Sequence, residues 1–144
     1  MNKSLAVAVL LCLSAGLAGC DSLVGFLRQR ETSVVLVNSG DFDVEVVLFY
    51  GDDQNMLEAL LTEIGEEMTL TIGAGEQFTF SRDCDDLQAI IIDDADLLLL
   101  GELGPEVKTD VLRDGDEFGC GDTITFTFDH SDALFDFFIT VEIE

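Results

Sequence analysis

The chain has 144 residues and 30 acidic against six basic side chains, a net charge of −24. So negative a surface repels phosphate backbones, which excludes DNA and RNA as partners. It has one histidine, no tryptophan and one tyrosine, so a zinc site lacks ligands and a sugar-stacking platform is poorly supplied.

The first elements in chain order are an address. Lys3 precedes a run of nine apolar residues, Leu5–Leu13, and small residues follow. A positive segment, a short apolar segment and a small-residue cleavage zone make a secretory signal. The apolar run falls short of the roughly 20 residues that span a bilayer. The four residues "LAGC", Leu17–Cys20, resemble the lipobox of bacterial lipoproteins. The resemblance implies cleavage before Cys20 and acylation of its thiol. It implies a cleaved helical signal peptide over residues 1–19 and a lipidated tether over 20–32. It also implies anchoring in the cell membrane or outer membrane, facing periplasm or exterior. Several acyl chains give stable anchoring, since each buried methylene contributes about 0.8 kcal/mol. The mature chain would then hold five basic against 30 acidic side chains, net −25.

The tether is not a bland linker. Leu23, Val24, Phe26 and Leu27 are apolar, and Arg28 and Arg30 are two of the five mature basic residues. It either lies on the membrane surface or packs against the domain.

Residues 33–144 read as one acidic, all-β domain. "SVVLVN", Ser33–Asn38, is β-branched, and "DVEVVLFY", Asp43–Tyr50, puts Val44, Val46, Leu48 and Tyr50 on one face. With turn residues Ser39–Asp41 between them, the pair reads as a hairpin. Asn55–Gly65 changes period. Met56, Leu57, Leu60, Leu61 and Ile64 recur at helical spacing, with Asn55 and Glu58 placed as a capping box and Gly65 as the stop. Alternation returns in Met68–Ile72 and Phe78–Phe80. Leu87–Ile92 and Leu97–Leu100 are continuous apolar runs flanking the turn "DDAD", and Gly101–Glu106 is a loop. Thr123–Asp129 alternates without a break, and Leu134–Ile143 ends the domain. About eight short strands and one short helix predict an antiparallel β-sandwich.

Once Cys12 leaves with the signal and Cys20 takes lipid, Cys84 and Cys120 remain in an oxidising compartment, and a disulfide is the natural reading. It would bring "RDCDD", Arg82–Asp86, to "RDGDEFGCGD", Arg113–Asp122. Asp83, Asp85, Asp86, Asp116, Glu117 and Asp122 would then offer hard oxygen ligands to a calcium ion. Solvated turns are the alternative. "DGDEFG" matches the start of an EF-hand loop, but Phe118 and Thr125 stand where ligands are needed. "DHSD", Asp129–Asp132, holds the letters of a catalytic triad, but contiguous turn residues cannot adopt relay geometry. No catalytic residue is assigned. The functional expectation is a non-enzymatic interaction or structural module of the envelope with an unidentified protein partner. Calcium binding is the alternative, and a carboxylate-pair hydrolase ranks last.

Overall fold

The computed structural model describes residues 30–100, 102–131 and 136–144. The expected signal peptide, Cys20 and all but the end of the expected tether lie outside the described residues. Nine strands and one helix follow in order: β1 Glu31–Asn38, β2 Val44–Gly51, α1 Glu58–Ile64, β3 Glu66–Ile72, β4 Gln77–Asp83, β5 Ala89–Leu99, β6 Glu102–Val107, β7 Leu112–Arg113, β8 Thr123–His130 and β9 Phe137–Ile143. One sheet runs β4-β1-β8-β9; the other runs β3-β2-β5-β6, with β7 also on β5. All pairs are antiparallel except β1 with β8, which run parallel. The all-β sandwich is as expected, and the parallel pair makes its first sheet mixed.

Alternation builds the core. Val34 and Leu36 of β1, Val44, Val46 and Leu48 of β2, and Ile124, Phe126 and Phe128 of β8 are fully buried between the sheets. Their intervening neighbours are half-buried outside. The outer face of the second sheet carries a smaller cluster, in which Met56 and Leu61 pack on Ala89 and Ile91.

The structure differs from the sequence expectation at four places. β1 and β2 are not a hairpin; they belong to opposite sheets. Buried Asn38 explains the crossing. Its Nδ2 donates to the carbonyls of Phe42 (2.8 Å) and Ile72 (3.0 Å), and its Oδ1 accepts from Gly40 N. The side chain thereby ties the loop to the end of β3 in the other sheet. The helix starts at Glu58, not after Asn55, and Leu57 caps it with no side-chain bond. Asp53 shapes the entry instead, its Oδ1 accepting from Asn55 N and its carbonyl from Met56 N. Gly65 does end the helix, but with φ −64°. The reason for glycine is close approach, since a Cβ there would lie 2.4 Å from the Leu61 carbonyl oxygen. "DDAD" is no turn. Leu48 faces Ile92 while Val47 faces Asp94, so Asp93 is an extra, bulged residue within one long strand, β5. The presumed loop after it is edge strand β6, where Pro105 is tolerated.

Candidate functional site

Cys84 and Cys120 are joined, with Cα atoms 5.3 Å apart. Cys84 follows β4 and Cys120 precedes β8, so the bridge links the two strands flanking β1 in one sheet. The start of β1 sits beneath it: Thr32 Oγ1 lies 3.8 Å from Cys84 Sγ, and Ser33 N donates to Asp122 O at 3.0 Å.

The disulfide does bring the two acidic loops to one end of the sandwich. Among the described residues, no three of their six carboxylates come within 4.8 Å of one another. Asp83 closes β4 opposite Glu31, and its carbonyl accepts from the amides of Asp86 and Leu87. Asp85 and Asp86 are exposed. Glu117 Oε2 accepts from Arg113 N at 2.8 Å, and Asp122 Oδ2 accepts from Gly119 N at 2.7 Å. Asp116 is exposed. It lines an open, polar cavity of about 570 Å³ with Gln54, Asn55, Arg113, Asp114 and Gly115. Among the described residues the cation there is Arg113, which already donates through Nη1 to the Met56 carbonyl (2.8 Å) and to that of Gln54.

A different set of acids converges. Among the described residues, one trio of metal-ligating groups has its atoms within 4.8 Å of one another: Asp94, Asp96 and Glu106. Strand register causes this. Glu45 of β2 faces Asp96 of β5, and Asp96 faces Glu106 of β6, a row of three acids across three strands. The bulge at Asp93 turns Asp94 to the same outer face. Asp94 Oδ1 is buried without a hydrogen-bond partner. Burial, then the charges of Asp96, Glu106 and Asp93, push the Asp94 carboxyl up to about 6. Burial and the charges of Glu106 and Glu45 raise Asp96 as well. Like charges directly opposite on a sheet are unfavourable. These groups are arranged to attract a proton or a cation.

A third polar arrangement bridges the sheets. The Tyr50 hydroxyl donates to Glu66 Oε2 at 2.6 Å and accepts from Arg82 Nε at 2.9 Å. The Arg82 guanidinium lies over the Tyr50 and Phe80 rings, 5.2 and 5.3 Å from their centres. Burial is the main reason the Tyr50 hydroxyl titrates above its ordinary range. His130 is also structural. Its Nε2 accepts from Asp41 N at 3.2 Å and its ring packs on Phe42 at 5.6 Å, so the histidine is half-buried and not a free turn residue.

No family model and no curated protein matches the sequence. Solved structures do. A protein from Eubacterium rectale determined by NMR has a TM-score of 0.46 and 16% identity, over 78% of this chain and 89% of that one. The T6SS lipoprotein TssJ1 from Pseudomonas aeruginosa has a TM-score of 0.45 and 12% identity, over 81% and 97%. The membrane-binding domain of pneumolysin has a TM-score of 0.45 and 9% identity, over 80% and 96%. Likeness at this level carries no ligand, partner or activity to this chain.

Proposed function

We propose that this chain is an exported, lipid-anchored, non-enzymatic interaction or structural module of the cell envelope. The carrying observation is the Cys84–Cys120 disulfide behind a lipobox-like Leu17–Cys20. Disulfides persist in oxidising compartments, and export is what the signal specifies. The net charge keeps the domain soluble at a surface and away from nucleic acid. The partner is an envelope protein. Cys20→Ser tests the anchor: the variant should leave the membrane fraction or accumulate uncut. A variant that is cut normally and stays membrane-bound contradicts the reading.

A second reading, calcium binding, is favoured by the outer-face row of Glu45, Asp94, Asp96 and Glu106 and by the partnerless Asp94 Oδ1. Hard oxygen donors suit calcium. The acidic loops at the disulfide are the competing donor set. Melting with calcium, against sodium at matched ionic strength, tests it. A rise specific to calcium supports the reading, and equal melting removes it.

A further inference from the structure

One surface of the domain has the wrong chemistry for water. Leu57, Leu60 and Ile64 are 72%, 43% and 63% exposed. At the start of α1 and three and seven residues on, they form a single stripe along the helix, beside the buried Leu61. The other exposed large hydrophobics are scattered towards the opposite end: Phe78 on β4, Leu100 in the turn after β5 and Phe138 on β9.

The stripe lies at the end where the chain enters the domain. Thr32 faces Arg82, and Arg82 bonds to Tyr50, the penultimate residue of β2. The next residue, Gly51, is approached by Leu61 of α1 and by Met56, where a Cβ would meet them at 3.1 and 3.5 Å. Cys20 stands eleven residues before Glu31, which covalent geometry limits to a reach of about 40 Å.

Glu31–Glu144 contains three basic residues, Arg82, Lys108 and Arg113. All three hold α1 or its surroundings: Arg82 through Tyr50, Lys108 Nζ on Glu58 Oε1 at 3.2 Å, and Arg113 on the Met56 carbonyl. These three side chains share this end with the acids of the Arg82–Asp86 and Arg113–Asp122 loops that the disulfide joins.

We infer that Leu57, Leu60 and Ile64 are a membrane-docking stripe that seats this end of the domain on the lipid surface. The inference rests on the anchored reading above. The acyl chains supply the attachment, and the stripe sets the orientation by burying apolar area at the interface. Asp52, Asp53 and Glu63 flank it, so its natural surface is zwitterionic.

The test uses the lipidated protein in phosphatidylcholine vesicles, with hydrogen exchange read across residues 60–65. These amides should exchange about tenfold more slowly than in the Cys20→Ser chain mixed with the same vesicles. Leu57→Ser with Ile64→Ser should keep the acylated Cys20 and the melting temperature but lose the slowing. Anionic lipid at low salt should weaken it, and added salt should restore it. Equal exchange in a protein shown by mass spectrometry to be acylated overturns the inference and leaves the anchor standing. Slowing that survives the double substitution overturns it too. So does slowing that needs protein concentration and no vesicles, because a second copy would then cover the stripe. An unacylated Cys20 removes the anchor and the inference together.

Discussion

Two groups of acids in this protein have opposite surroundings. Two of the loop acids at the disulfide face donors: Glu117 takes the Arg113 amide and Asp122 takes the Gly119 amide. The row on the second sheet faces other acids, Glu45 against Asp96 against Glu106, with Asp94 beside them. A carboxylate facing like charge is stabilised protonated or metal-bound. Density of acids in the sequence is therefore a poor guide to where a charge is under strain. What opposes each acid across the sheet or turn decides it.

That contrast can be broken at several points. The largest effect concerns the bridge that holds the loops. Cys84→Ser with Cys120→Ser should lower unfolding free energy by about 3–4 kcal/mol, because a 36-residue separation is released in the unfolded chain. Denaturant titration checks it. Next comes the ion. At a hundredfold excess over its dissociation constant, bound calcium adds about 2.7 kcal/mol. On the row assignment, Asp94→Asn with Asp96→Asn removes the calcium-dependent rise in melting temperature and Asp85→Asn with Asp116→Asn leaves it. The reverse result returns the ion to the loops.

Single neutralisations should then differ in sign. Asp122→Ala should cost about 1 kcal/mol through the lost bond to Gly119 N. Asp94→Asn should raise stability at pH 7 by about 1 kcal/mol, after discounting the shift for the solvent that reaches this carboxyl. The pH dependence follows from a folded value of about 6 against an ordinary aspartate near 4. The folded state holds a proton that the unfolded chain releases. This group's contribution is therefore fullest below about pH 4 and is lost as pH rises through about 6. Melting curves from pH 4 to 7 should show that decline in the parent and a flatter profile in Asp94→Asn.

The same contrast explains what was legible in the sequence. "TITFTFD" could be read as β8 because each of its inward residues is apolar and each neighbour is a threonine or Asp129. The disulfide was legible because the lipobox-like reading of Leu17–Cys20 assigns Cys12 and Cys20 elsewhere and leaves two cysteines. The acidic row was not. Glu45, Asp96 and Glu106 lie on three strands, and they meet only through a register set by the bulge at Asp93. The four letters "DDAD" look like a turn for the same reason, since a bulge and a turn use similar residues. Asn38 hid the crossing between sheets. Its three carbonyl partners lie 4, 34 and 35 residues away, beyond the reach of any local pattern.

The most direct test of the account is intact and peptide mass spectrometry of the protein taken from its own membrane under non-reducing conditions. The account predicts an N-terminus at Cys20 carrying acyl chains, and a single linked peptide joining Cys84 to Cys120. An unmodified Cys20 inside a longer chain, with two alkylatable thiols at Cys84 and Cys120, would contradict it.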